Sequence, residues 1–353
     1  MKSSSNKIII NVDSTTLSSD EYNLLQNEII GGVILFNHNY DNLDQIKLLI
    51  DSIKSIRGDI MIAVDHEGGR VQRFRKGFTL LPSFEDIGKL YLQDPELANE
   101  VAYSSGYVSG FELKKIGIDI NFSPVVDLSS NSEVLNNRTL SINPDTVTRL
   151  ASEYIRGLID NGIIPTLKHF PGHGSVLSDT HTTVSECDNE YKDLITHIEP
   201  FKRIYKKYQV PIMTSHIIYN KISEHPVTTS STWLLDHATT IYDKKPFFIS
   251  DDLEMSAISE KYNNDSKIDI LIKAFSAGCN LAIITTMQTK GVIESNLSHQ
   301  YFKSEYLDKL ADIERTSTDN IDLLCLEHII YNSGDYKIYQ RSLECLDNQF
   351  EIK

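Results

Sequence analysis

Eight short apolar runs rich in β-branched residues recur along this chain, at residues 7–12, 32–36, 60–64, 118–126, 163–167, 211–214, 246–249 and 280–284. Segments with helical periodicity separate most of them, and residues 43–56, 95–116, 144–161, 190–208 and 267–277 are each long enough for a helix. Strands that alternate with helices form a parallel sheet. Eight such units predict closure into a single (β/α)8 barrel of the TIM type. The competing architecture is an open doubly wound sheet. Its dinucleotide-binding form loses support because no G-x-G-x-x-G follows Val12, Phe36 or Val64, and Gly68-Gly69 is a turn without the phosphate fingerprint.

The length of 353 residues suits one barrel, and no composition shift or Pro/Ser-rich linker divides it. Residues 1–353 therefore read as one domain, with a barrel core over about 7–286 and polar helices packed outside it over about 287–353. Asp and Glu total 49 against 34 Lys and Arg, a formal charge of −15. Such a chain has no general electrostatic attraction to nucleic acid or anionic lipid, although a local cationic pocket is compatible with it. Cys187, Cys279, Cys325 and Cys345 are widely spaced with no C-x-x-C pair, which suits a reducing cytoplasm better than a disulfide framework or a zinc site. The first residues are polar and Ile8-Ile9-Ile10 is too short for a signal peptide or a span. The chain reads as soluble and cytoplasmic, with no membrane partner and a monomer favoured.

The fifth apolar run leads directly into Lys168-His169-Phe170-Pro171-Gly172-His173-Gly174, followed by Asp179-Thr180-His181. A cation, three imidazoles and a carboxylate are set among Pro and Gly residues that stop the segment from being a helix. A polar surface loop is the bland interpretation, and a buried strand running into the cluster argues against it. Zinc is the other alternative, because His169 and His173 are four residues apart and His181 would be a third ligand. Pro171, Gly172 and Gly174 forbid the helix that would align the two imidazoles, and no Glu stands between them as H-E-x-x-H requires.

Chemistry in a barrel gathers where strands end. The third run ends at Asp65, with His66, Glu67, Arg70 and Arg73 beyond it, and the fourth ends near Asp127, with Arg138 in its loop. The fifth ends at Lys168-His169, the sixth at His216 and the seventh at Asp251-Asp252, so five consecutive strands deliver ionisable groups to one rim. Each has a structural alternative: Arg73 and Arg138 as surface charges, His216 as a hydrogen-bonded core residue, and one of the two aspartates as a helix cap ahead of Leu253.

Taken together these residues resemble glycoside hydrolase family 3, in its bacterial β-N-acetylhexosaminidase branch. The resemblance is carried by residues 63–73 (AVDHEGGRVQR), 121–127 (NFSPVVD), 168–174 (KHFPGHG) with Asp179-Thr180-His181, and 250–255 (SDDLEM). They fall in family order over about 190 residues. One segment departs from the pattern. Where the family has an Arg-Ser-Phe-Gly-like run, this chain has Arg138-Thr139-Leu140-Ser141, which makes Arg138 a less secure substrate contact than Arg73.

The resemblance implies a retaining β-N-acetylhexosaminidase that removes terminal N-acetylglucosamine from a small saccharide, with cell-wall muropeptides in peptidoglycan recycling as the expected source. It assigns Asp251 as nucleophile and His181, partnered by Asp179, as acid/base in place of the usual second carboxyl group. It further implies that Asp65, Arg73, Arg138, Lys168 and His169 bind the sugar and that no metal or organic cofactor takes part. An imidazole begins near pKa 6.5 and needs no upward shift to carry a proton near neutrality. The alternatives are a family 3 β-glycosidase of other specificity, a phosphorylase that uses phosphate in place of water, and a sugar-binding protein without catalysis.

Overall fold

The computed structural model describes residues 7–129, 135–175, 185–285 and 336–350. Seven unbroken strands, Lys7–Asn11, Ile30–Leu35, Met61–Val64, Ile120–Asn121, Ile212–Thr214, Phe248–Asp252 and Leu281–Ile284, share one sheet with a strand split at Thr166 into Ile164–Pro165 and Leu167–Phe170. The split strand is the fifth in chain order, and all pairings in this sheet are parallel. Its first half pairs with the fourth strand and its second half with the sixth, so the two ends of the sheet are one continuous piece of chain. Across the split, the Thr166 amide donates to Ser123 O at 2.9 Å and the Val126 amide to Lys168 O at 3.0 Å. The sheet therefore closes into an eight-stranded parallel barrel with helices around it, as the periodicity predicted.

The strand periodicity of two explains why the runs are apolar throughout. Ile9, Ile34, Ala63, Ile120, Ile164, Met213, Ile249 and Ile283 form one buried cluster, which fills the barrel. Their neighbours Ile8, Ile10, Val33, Leu35, Ile62 and Val64 belong to a second, larger cluster shared with the helices. Leu43–Ile56 starts where Asn42 accepts from the Gln45 amide at 3.0 Å. Pro95–Ile116 and Pro144–Ile159 each carry proline in the first turn behind an Asp94 or Asn143 cap, where a missing N–H costs nothing.

The fourth run is less regular than its composition predicts. Of residues 118–126 only Ile120–Asn121 is strand, with one further bridge from Val125 to Lys168, because Pro124 has no amide proton for a ladder. After the third strand, His66–Gly68 and Val71–Gln72 form a small antiparallel hairpin. Its turn needs Gly68 and Gly69, which take φ of 112° and 54°. Of the span 287–353, where outer helices are expected, Tyr336–Phe350 lies within the described residues as a helix that packs on Pro95–Ile116, with Tyr339 stacked on Phe111 at 4.2 Å, and the rest of the span lies outside them.

Candidate active site

Asp65 and Glu67 are two residues apart on extended chain and so reach toward the same face. Lys168, in the second half of the fifth strand, sits between them, with Nζ 2.8 Å from Asp65 Oδ1 and 2.7 Å from Glu67 Oε1. Arg73 completes one end of this chain of charges at 3.1 Å from Asp65 Oδ2, and Arg138 completes the other through two bonds to Glu67. Burial by itself would push both carboxyls up. The charges of Lys168 and Arg73 outweigh it at Asp65, and those of Arg138 and Lys168 at Glu67, so both stay ionised below the usual carboxylate range. His66, between them, points the other way and is buried against Phe74 and Phe78.

Asp127 is fully buried and collects donors from the root of the His-rich loop. It accepts the His169 amide at 3.1 Å, His169 Nδ1 at 2.8 Å and the His173 amide at 2.7 Å. Burial raises the Asp127 pKa, and the two histidines bring it below its ordinary value. His173 is itself buried, which moves its imidazole down to about 4 against the pull of Asp127. Gly172 is required beside it, since φ is 132° there and a Cβ would meet His197 Cβ at 2.8 Å. Asp179 and His181 lie outside the described residues.

The seventh strand carries Asp251 and Asp252 at its end. The Asp252 amide donates to Asp251 Oδ1 at 2.8 Å. Asp252 accepts the Glu254 amide at 3.1 Å and the Thr285 hydroxyl, so it organises a turn, and the helix Ser256–Lys261 begins beyond it at Met255. Burial and the neighbouring charges of Asp251 and Glu254 push the Asp252 carboxyl up to about 6, although the bonds from Thr285 and the Glu254 amide act the other way. His216 proves to be a core histidine, its Nδ1 2.9 Å from Thr228 Oγ1 and its Nε2 2.9 Å from the Asp252 carbonyl.

These elements converge on a cavity of about 220 Å³ at the C-terminal mouth of the barrel. Asp65, Arg73, Arg138, Lys168, His169 and Asp251 all line it, with Arg70, Asp252 and Thr285, over a floor that includes Ile34, Phe122, Met213 and Ile283. Thr285 was not singled out from the sequence. Neither were the anchoring roles of Glu67 and Asp127, although the spacing of Asp65 and Glu67 on extended chain was a usable signal. Among the described residues no cluster of His, Cys, Asp and Glu is arranged to hold a metal ion.

Carboxylates and fixed cations alternating around a small cavity suit a ligand rich in groups that both donate and accept, as the hydroxyls of a sugar do. Fold and rim together define a carbohydrate-active α/β barrel. The glycosyl hydrolase family 3 N-terminal domain matches residues 7–314, and the chain belongs to that family. It is a glycoside hydrolase. Among curated proteins it is similar to a β-hexosaminidase of Psychromonas ingrahamii, 39% identical over 279 residues that span 78% of this chain and 81% of that one. A β-hexosaminidase of Nitrosomonas eutropha is 37% identical over 280 residues, 78% of this chain and 80% of that protein. Among solved structures it is similar to NagZ from Neisseria gonorrhoeae in complex with N-trifluoroacetyl-D-glucosamine, with 29% identity, a TM-score of 0.78 and 98% of each chain covered.

Proposed function

We propose that this chain hydrolyses terminal β-linked N-acetylglucosamine with net retention, with Asp251 as nucleophile and His181, partnered by Asp179, as acid/base. The observation that carries this reading is the placement of Asp251 in one cavity with Asp65, Arg73, Arg138, Lys168 and His169. The names of the relatives support the sugar, since two of them are β-hexosaminidases and the solved NagZ holds an N-acylated glucosamine. In this scheme the C1–O bond to the leaving group breaks as Asp251 bonds to C1, and the proton of His181 passes to the departing oxygen. Neutral His181 then takes a proton from water as that water attacks C1 and frees the Asp251 carboxylate. Asp65 accepts from ring hydroxyls while Lys168, Arg73 and Arg138 donate to them, and no metal or organic cofactor is needed.

The expected physiological substrate is a muropeptide of the cell wall, trimmed in the cytoplasm during peptidoglycan recycling. No described helix is long and apolar enough to cross a membrane. A second reading of the proton donor comes from the dyad of Asp127 and His169, which puts an imidazole on the same cavity as Asp251. Phosphorolysis is the alternative for the acceptor, since an imidazole does not repel phosphate as a carboxylate would.

Trapping with a fluorinated N-acetylglucosaminyl donor, followed by peptide mapping, tests the scheme. An adduct on Asp251 supports it, and an adduct on Asp252 moves the nucleophile. Turnover in phosphate buffer that yields the sugar 1-phosphate would replace hydrolysis by phosphorolysis.

A further inference from the structure

His216 follows the sixth strand toward the barrel mouth, and the scheme above gives it no part. Its side chain is buried and both ring nitrogens have partners. A backbone carbonyl only accepts, so Nε2, 2.9 Å from the Asp252 carbonyl, carries a proton and donates there. Nδ1 lies 2.9 Å from Thr228 Oγ1, which is itself 2.7 Å from Thr214 Oγ1 and donates to the Ser215 carbonyl at 2.9 Å. Thr214 and Thr228 are fully buried, so the ring is held in a network that water does not soften.

The ladder between the sixth and seventh strands ends at the pair of Thr214 and Ser250. Beyond it the backbone turns, and the Asp252 carbonyl accepts the Met255 amide at 3.1 Å. On the side of the eighth strand this turn is tied by the Leu253 amide, which donates to the Ile283 carbonyl at 3.0 Å, and by the Thr285 hydroxyl on Asp252. On the side of the sixth strand the tie is the His216 imidazole, which takes over where the ladder stops. The Asp252 amide, carried by this turn, donates to Asp251 Oδ1 at 2.8 Å.

Resting on the assignment of Asp251 as nucleophile, we infer that His216 is a positioning residue: by donating to the Asp252 carbonyl it fixes the turn whose amide orients the Asp251 carboxylate for attack. Attack on C1 needs the reacting oxygen about 3–3.5 Å away with its orbital aligned. An amide that holds Oδ1 sets that alignment before the sugar arrives, and it does so only as firmly as the backbone that carries it is held.

His216→Leu removes the donor and keeps an apolar filling, and the Asp252 carbonyl retains the Met255 amide, so the variant is expected to fold. Inactivation of the full chain by a fluorinated N-acetylglucosaminyl donor reads nucleophilic attack without the hydrolytic step. Its rate constant at saturation should fall on the order of 10²-fold, the scale of a small misplacement between reacting atoms, while the dissociation constant of N-acetylglucosamine stays within about 2-fold. His216→Gln sets an amide N–H near the position of Nε2 and should recover most of the rate. An unchanged inactivation rate in His216→Leu, or equal impairment of the two variants, reduces His216 to a stabilising core residue and overturns the inference. Should His216→Leu not fold, ring nitrogen spectra of the wild type labelled with ¹⁵N-histidine still decide, with His216→Gln identifying the signals among the 11 histidines. An unprotonated Nε2 overturns the inference. A wild-type adduct on Asp252, or no inactivation of the wild type, sinks the nucleophile assignment instead. A crystal structure of His216→Leu reports on the geometry in either case, and Asp251 Oδ1 still bonded to an unmoved Asp252 amide would remove the positioning role.

Discussion

Arg138 grips Glu67 through two parallel hydrogen bonds, Nε to Oε2 at 3.0 Å and Nη2 to Oε1 at 2.8 Å. This two-pronged geometry is the strong form of an Arg–carboxylate pair. The loop around Arg138 lacks the aromatic of the family pattern, and Leu140 is buried there instead. Anchorage does not suffer from the exchange: the Arg138 side chain is 10% exposed, against 30% for Arg73. The pair also bears on the proton donor. Burial would favour a protonated Glu67, but Arg138 and Lys168 keep it ionised, which removes it as a general acid.

Replacing Glu67 by Gln should therefore destabilise the fold, because two buried cations lose their shared partner. Breaking a buried pair of this kind costs about 3–5 kcal/mol. Denaturant unfolding measures it, and a loss within about 1 kcal/mol, as for an exposed pair, would mean that Lys168 and Arg138 find other partners.

Asp251→Asn should abolish hydrolysis of an aryl β-N-acetylglucosaminide while leaving the unfolding transition intact. Near wild-type turnover by the purified variant would exclude Asp251 as the nucleophile.

His181→Ala should slow substrates with poor leaving groups far more than activated aryl ones, since a good leaving group departs without an acid. General acid–base assistance is typically worth on the order of 10²–10⁴-fold, and the loss on an unactivated disaccharide should reach that range. Asp179→Asn should act in the same direction more mildly. An equal, modest loss on both substrate classes would make His181 a binding residue and favour the His169 alternative.

Specificity is checked with paired aryl glycosides. N-acetylglucosaminides should exceed glucosides in kcat/KM by at least on the order of 10²-fold, and by up to about 10⁴–10⁵-fold if the site hydrogen-bonds the acetamido group that the glucoside lacks. Comparable rates would retain the glycosidase and discard the N-acetyl preference.

The Asp252 carboxyl gives a pH signature of defined sign. Its folded pKa is about 6 against an ordinary 3.8, so between those values the unfolded chain holds fewer protons than the native one at this site. The contribution of Asp252 to stability thus falls as pH rises through that window and stays low above it. Asp252→Asn cannot ionise, so its thermal midpoint relative to wild type should climb from pH 4 to pH 7. A constant difference across that range would show that Asp252 titrates normally.

Much of this was legible in the sequence because it is local. Apolar runs covered on both faces alternate with capped amphipathic segments, which determines a parallel barrel, and strand ends determine where ionisable groups collect. Short-range order accounts for Asp65, Lys168, His169 and Asp251 reaching one mouth. Pairing across the barrel was decided only by the tertiary structure. Lys168 is 103 residues from the Asp65 it binds, Arg138 is 71 from Glu67 and His169 is 42 from Asp127. Which cation meets which carboxylate depends on strand register and on the path of each loop. Those are set when the barrel closes and its interior packs, and no periodicity in the chain encodes them.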